Sequence, residues 1–111
     1  TTKNLLANIL NLSAPTLKTQ GNLNNHLGVP MTLLKLKPHH QYAVIEMGAN
    51  HIGEIEHLRC IVNPDIAVIT NTGDAHIGEF GSKANLMLLI SATVTLFYTM
   101  TAYARDTLIK L

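Results

Sequence analysis

The chain has 111 residues, of which 47% are apolar and only 14% are charged, and its formal net charge is +1. This apolar composition excludes an intrinsically disordered chain, and the scattered Lys and Arg residues argue against a nucleic-acid-binding protein. Soluble domains usually carry about 25% charged residues, so we expect further chain or a partner to cover part of the surface. The single cysteine, Cys60, can form no internal disulfide, which fits a reducing, cytoplasmic location. We expect its thiol to be buried beside Ile61 and Val62.

Hydrophobic periodicity and turn residues predict six elements before residue 72. The first helix is indicated by Leu5, Leu6, Ile9 and Leu10, which recur at helical spacing. Two compact apolar runs are typical of parallel strands that are buried on both faces. The predicted elements are helix 3–12, strand 17–20, helix 30–36, strand 42–47, helix 53–61 and strand 66–70. A strand, a helix and a strand in succession predict a right-handed βαβ unit, and so an α/β fold with a partial parallel sheet and flanking helices.

The last segment differs in composition from the rest. All seven glycines and all four prolines lie at or before Gly81, and residues 86–104 contain no charged residue. That length is close to the roughly 20 apolar residues of a spanning helix. Because five Ser and Thr residues interrupt it, a membrane-tethered chain is the weaker alternative.

Polar residues follow the two buried strands, where open parallel sheets bind their ligands. Glu46 lies near the end of the first buried strand, and His76 lies in the loop after the second, together with Asp74. A carboxylate in this position must be solvated, paired or bound to a metal. Mg²⁺ coordination and a salt bridge or helix-cap contact are equally weighted for Glu46. For His76 alone, a structural loop histidine outweighs a role in metal binding or proton transfer.

An Asn-rich loop lies between Gly21 and Gly28. Its side-chain amides, those of Asn22, Asn24 and Asn25, could bind phosphate or sugar oxygens. A simple run of turns is the alternative, and composition does not decide between the two.

Three segments in this order resemble the motifs of the Mur ligase family. They read GNLNNHLGVPMTLL over residues 21–34, YAVIEMGANHIGEI over 42–55 and ITNTGDAHIGEFGS over 69–82. Thr1, Thr2 and Lys3 resemble the end of a G-K-T-T P-loop with the helix that follows it. The resemblance covers about three quarters of the chain and implies a truncated P-loop-type Mur ligase central domain.

The resemblance also implies an activity. The middle motif is similar to that of the branch that joins D-alanyl-D-alanine to UDP-N-acetylmuramoyl-tripeptide in peptidoglycan synthesis. Such a ligase uses ATP and Mg²⁺ to transfer a phosphoryl group to a carboxylate, and an amine then attacks the acyl phosphate. The partners implied are therefore these two substrates, with no nucleic acid.

Site residues follow from the resemblance position by position. Thr1 and Thr2 match phosphate-binding positions, and Thr1 also matches the P-loop hydroxyl that binds Mg²⁺. Asn22 matches a position near the γ-phosphate, while Asn24 and Asn25 are the substrate-binding candidates. Glu46 and His76 match catalytic positions that bind a second Mg²⁺.

Two departures limit this resemblance. The 111 residues contain no P-loop glycines and lysine before Thr1, and no lysine occurs between Lys83 and Lys110, where the family places a carbamylated one. We therefore expect a partial central domain over residues 1–85 and a divergent apolar tail over 86–111, which a frameshift would explain. Such a chain is expected to be an inactive ligase fragment. The alternatives are a non-catalytic interaction protein and, third, a membrane-tethered remnant.

Overall fold

The computed structural model describes residues 1–51, 53–71 and 93–99. The six predicted elements are present, with bounds within three residues of the prediction, and a fourth strand is added. The elements are α1 (Thr2–Asn11), β1 (Thr16–Lys18), α2 (Gly28–Leu33), β2 (Tyr42–Gly48), α3 (Glu54–Val62), β3 (Ile66–Asn71) and β4 (Thr93–Thr99). The predicted α/β class is confirmed.

The described sheet has the strand order β1-β2-β4-β3. β1 and β2 are parallel, with Leu17 opposite Ala43. β4 is antiparallel to both of its neighbours, so that Thr95 lies opposite Glu46 on one side and Val68 on the other. β2 and β3 therefore run in the same direction, as the predicted βαβ unit requires, but β4 separates them. The sheet is mixed, a feature that the sequence analysis did not predict.

Alternation along β2 divides its side chains between two faces of the sheet. Ala43, Ile45 and Met47 belong to one buried cluster, which also includes Leu58 and Val62 of α3. Val29 of α2 and Leu17 of β1 complete this cluster. The intervening positions of β2, among them Glu46, are directed to the opposite face, where α1 lies. The polar candidate in β2 thus faces the N-terminal helix rather than the main core.

The buried face of α1 is rotated from the prediction. Leu5 and Ile9 are 65% and 54% exposed, whereas Lys3 and Ala7 are each 3% exposed. Lys3 thus lies on the inward face of α1, and its ammonium contacts Glu46 of β2. We predicted that further chain or a partner covers part of the surface, and for these exposed apolar side chains this remains a prediction.

Two burial predictions are wrong. Strand β3 is not a buried strand, because Ile66 and Ile69 are 53% and 50% exposed at the edge of the described sheet. Cys60 is exposed. Helix α3 buries Leu58 and Val62, and Cys60 lies midway between them in sequence, on the opposite side of the helix.

Most of the predicted apolar tail lies outside the described residues. Strand β4 occupies residues 93–99 in its middle, where the membrane alternative would need a continuous helix. None of the helices formed by the described residues is long and apolar enough to cross a membrane.

Candidate functional site

The candidate site lies at the edge of the sheet where β1 and β2 end. Because these strands are parallel, their carboxyl ends meet at one edge. Thr19 follows β1 directly, and its hydroxyl accepts a hydrogen bond from the Glu46 backbone N–H at 2.9 Å. Thr19 is fully buried. This bond extends the strand pairing and fixes the backbone that carries the Glu46 carboxylate.

Both oxygens of the Glu46 carboxylate have a partner. Oε1 accepts a hydrogen bond from Asn24 Nδ2 at 3.0 Å. Oε2 lies 3.3 Å from Lys3 Nζ, and the Glu46 side chain is only 13% exposed. The salt bridge that the sequence analysis weighed against metal coordination is therefore present.

Lys3 is the site residue that sequence reasoning missed. Its Nζ also donates a 2.6 Å hydrogen bond to the Gly21 carbonyl, so that it joins α1, the Asn-rich loop and β2. No signal in the sequence indicated it, because the apolar periodicity of α1 predicted a different buried face, and the burial of Lys3 and Ala7 on one helix face is seen only in the structure.

The Asn-rich loop is attached to the sheet edge through Asn24. Besides its side-chain bond to Glu46, the Asn24 carbonyl accepts a 2.8 Å hydrogen bond from the Gly48 N–H. Gly28 holds the other end of the loop, because a Cβ at this position would lie 2.5 Å from the Leu23 carbonyl carbon. The loop backbone and the first turn of α2 can approach this closely only where the residue is glycine.

The three candidate asparagines have different environments. Asn22 is exposed, and its side-chain amide has no hydrogen-bond partner among the described residues. Asn24 binds Glu46. Asn25 Oδ1 accepts hydrogen bonds from the N–H groups of Leu27 and Gly28, at 3.2 and 2.8 Å, and thereby caps the start of α2. Asn25 Oδ1 therefore has the structural role in a turn that the sequence analysis gave as the alternative. A substrate contact by Asn24 or Asn25 remains a prediction.

Thr1 and Thr2 lie at the N-terminus of α1, and both are exposed. Thr1 is the N-cap residue, but its side chain makes no capping hydrogen bond. Both directly precede Lys3, whose ammonium contacts Glu46, so the first turn of α1 lies beside the sheet edge that carries Glu46. His76 and Asp74 lie outside the described residues, as does the loop that carries them. The structure therefore brings Thr1, Thr2, the Asn-rich loop and Glu46 to one edge.

Beyond this edge, an acidic residue organises the start of α3. Glu54 Oε2 accepts hydrogen bonds from the N–H groups of Asn50 and His51, at 2.7 and 3.1 Å. These backbone donors, first that of Asn50 and then that of His51, hold the pKa of the Glu54 carboxyl below its ordinary value. This turn carries the chain from Gly48 to α3 and so supports the edge.

The residues of the site fit a Mg²⁺ ion that takes only one or two ligands from the protein and the others from water and phosphate. Within residues 1–51, 53–71 and 93–99, no three His, Cys, Asp or Glu side chains cluster as a metal site. Mg²⁺ commonly binds through one or two carboxylates together with water and phosphate. Each Glu46 oxygen has a second lone pair beyond its present contact. Glu46 can thus contribute one ligand, and Asn22 and the first turn of α1 offer donors for phosphate oxygens.

Comparisons with known proteins agree on one family. A model of the Mur ligase middle domain matches residues 1–105. The chain is 50% identical over 84 residues to the UDP-N-acetylmuramoyl-tripeptide–D-alanyl-D-alanine ligase of Escherichia coli K12, covering 76% of this chain and 19% of that protein. It is 42% identical over 86 residues to the ligase of the same name from Bacillus subtilis 168, covering 78% and 19%.

Solved structures give the same result. A crystal structure of MurF from Acinetobacter baumannii matches with a TM-score of 0.76 and 55% identity, covering 80% of this chain and 20% of that one. The chain therefore spans about a fifth of the length of the relatives that it matches.

Proposed function

Because the chain belongs to the Mur ligase family, we propose that it forms the phosphate- and Mg²⁺-binding edge of a ligase that joins D-alanyl-D-alanine to UDP-N-acetylmuramoyl-tripeptide. The observation that carries this proposal is the position of Glu46. Its carboxylate lies at the carboxyl end of β2, oriented by Asn24 and Lys3. It lies beside a loop in which the Asn22 side-chain amide has no hydrogen-bond partner among the described residues. The names and lengths of the relatives support the substrate pair and the assignment of this chain to the central domain.

The residues have distinct roles in this proposal. Thr1 and Thr2 bind phosphate oxygens at the start of α1, where N–H groups and the helix dipole favour anions. Asn22 donates its amide to the γ-phosphate. Glu46 and His76 hold Mg²⁺, which when bound neutralises the negative charge that repels a carboxylate from a phosphate. Asn24 orients Glu46, and Asn25 keeps the loop in place by capping α2.

The 111 residues alone are not expected to catalyse ligation. Their sequence contains no P-loop glycines and lysine to surround the β-phosphate, and no lysine at the position that the family carbamylates. We propose the same division as the sequence analysis, with the partial domain over residues 1–85 and a divergent tail over 86–111. Amide formation by the isolated chain with ATP and both substrates would contradict this part of the proposal.

Isothermal titration with a non-hydrolysable ATP analogue and Mg²⁺ tests the binding function. We expect weak binding by these 111 residues, with a Kd on the order of 1 mM, since they do not include the P-loop glycines and lysine. Asn22→Ala and Glu46→Gln should each weaken it at least about fivefold, equivalent to roughly 1 kcal/mol.

Matched controls separate the site from general effects. Asn8→Ala removes an exposed asparagine amide from the middle of α1, and Glu56→Gln removes an exposed carboxylate from α3. Both variants should bind as the wild type does. Equal weakening by a control and its site variant would assign the effect to net charge or to the loss of a polar group anywhere on the chain, and would overturn the proposed site.

A further inference from the structure

We propose that Lys3 is a built-in counter-cation that keeps divalent metal away from Glu46 until a polyphosphate arrives with it. This inference rests on the proposed Mg²⁺- and ATP-binding role of Glu46. It adds Lys3 as a positioning residue. It also adds an order of binding, in which metal and nucleotide bind together and the metal alone does not bind.

The contacts of Lys3 show that its ammonium is fixed. Its side chain is only 3% exposed, and Nζ contacts the Gly21 carbonyl at 2.6 Å and Glu46 Oε2 at 3.3 Å. Among the described residues, Lys3 is the buried charged side chain. Lys3 and Ala7 are the buried residues of α1.

Electrostatics then determines what the edge attracts. The ammonium and the carboxylate cancel, so the pair presents little net charge to an approaching cation. A Mg²⁺ ion bound to a Glu46 oxygen at about 2.1 Å would lie within a few ångströms of the ammonium, in a region shielded from water. Repulsion between cations at that separation is strong. A triphosphate reverses this balance, because its negative charges attract both the metal and Lys3.

A second consequence concerns the Asn-rich loop. Lys3 holds the carbonyl of Gly21, the residue just before Asn22. Gly21 has a φ of 54°, a left-handed conformation that turns the chain at this point. The same ammonium that neutralises Glu46 therefore also fixes the backbone from which the Asn22 amide extends.

Titration with Mn²⁺ alone, followed by the electron paramagnetic resonance of the free ion, tests this inference without nucleotide. The wild-type chain and Glu46→Gln should bind Mn²⁺ equally weakly. Lys3→Met and Lys3→Gln should bind it at least about tenfold more tightly, since the repelling charge is gone. The gain should disappear in Lys3→Met/Glu46→Gln. A lysine that served only to stabilise the fold would give no gain in metal affinity on removal.

The outcomes separate this inference from the proposed function. A folded Lys3 variant without tighter Mn²⁺ binding would overturn the inference. If neither Lys3 variant folds, the comparison of the wild type with Glu46→Gln still tests the inference. Nucleotide-free Mn²⁺ binding that is tenfold tighter in the wild type would overturn the inference, and equally weak binding by both would support it. If Mn²⁺ binding changes as expected but the wild-type chain does not bind the Mg²⁺–nucleotide analogue, Lys3 still repels the bare metal, whereas the nucleotide function and the binding order that rests on it both fail.

Discussion

The ammonium of Lys3 lies 3.3 Å from Oε2 of Glu46 and joins the first turn of α1 to the carboxyl end of β2. Removing one partner leaves the other charge buried and unpaired, and such a loss typically costs about 3 kcal/mol. We expect Lys3→Met and Glu46→Gln each to lower the free energy of unfolding by roughly that amount. The double variant Lys3→Met/Glu46→Gln should lose about 1–3 kcal/mol less unfolding free energy than the two single variants lose together.

Urea denaturation of the wild type and the three variants measures this coupling. Lys18→Met with Glu56→Gln provides a control pair, because among the described contacts Glu56 pairs with Arg59 and not with Lys18. Additive losses for Lys3 and Glu46, as expected for the control pair, would show that the ion pair contributes nothing specific to the fold.

The close approach of Gly28 to Leu23 gives a second prediction. An alanine Cβ at position 28 would lie 2.5–2.6 Å from Leu23 backbone atoms, so the Asn-rich loop has to move. Gly28→Ala should destabilise the chain by about 1–3 kcal/mol. It should also shift the side-chain amide resonance of Asn24, because the contact with Glu46 is lost.

Gly53→Ala is the control for that experiment. Gly53 has a φ of 89°, but a Cβ there would have no neighbour within 4 Å. This variant should cost on the order of 1 kcal/mol through backbone strain while the Asn24 amide resonance stays in place. An unchanged Asn24 resonance in Gly28→Ala would contradict the described loop contact.

Thr19 provides a test of the backbone beneath the site. Thr19→Val removes the hydroxyl that accepts the Glu46 N–H, and the fully buried position excludes water as a replacement. The expected loss of unfolding free energy is about 1–3 kcal/mol. Thr32→Val is the matched control. Its buried hydroxyl donates to the carbonyl of Gly28, which is helical and has a backbone partner as well, so its removal should cost less. Equal losses would contradict a specific role for Thr19.

The turn before α3 should give the chain a pH-dependent contribution to stability. The N–H groups of Asn50 and His51 hold the pKa of Glu54 below its ordinary value of 4.5. The ionised carboxylate is thus favoured in the folded chain. Its contribution is fully present above pH 4.5 and is lost as the pH falls through the lowered pKa.

Glu54→Gln therefore should be less stable than the wild type at pH 7, by less than about 1 kcal/mol because the side chain is 36% exposed. The difference should vanish at acidic pH. Urea denaturation at a series of pH values measures this difference, and a constant difference across the series would contradict stabilisation of the ionised Glu54 carboxylate by the two N–H groups.

Much of the fold and part of the site follow from local pattern. The apolar run of β2 and the periodicity of α3 predicted both elements, since a single strand or helix is determined mainly by its own residues. The position of Glu46 at the sheet edge followed from the general rule for open α/β sheets. The role of Asn25 as a cap needed the observed start of α2, two residues earlier than Pro30 indicated.

The rest depends on contacts between distant elements. The Lys3–Glu46 pair depends on which face of β2 packs against α1, and the sequence of neither element specifies this. Strand β4 was missed because an uncharged, Thr-rich run is compatible with several structures. The exposure of Cys60 depends on the direction in which α3 packs, which Leu58 and Val62 determine.

The central claim is that the edge formed by α1, the Asn-rich loop and β2 binds the phosphates of a nucleotide with Mg²⁺. The most direct measurement is ¹⁵N chemical-shift mapping of the 111-residue chain during titration with a non-hydrolysable ATP analogue and Mg²⁺. We predict progressive shifts of the Asn22 side-chain amide and of the backbone amides of Thr2 and Gly48, while those of α3 stay unchanged. Shifts confined to α3, or no shifts at millimolar ligand, would contradict the claim.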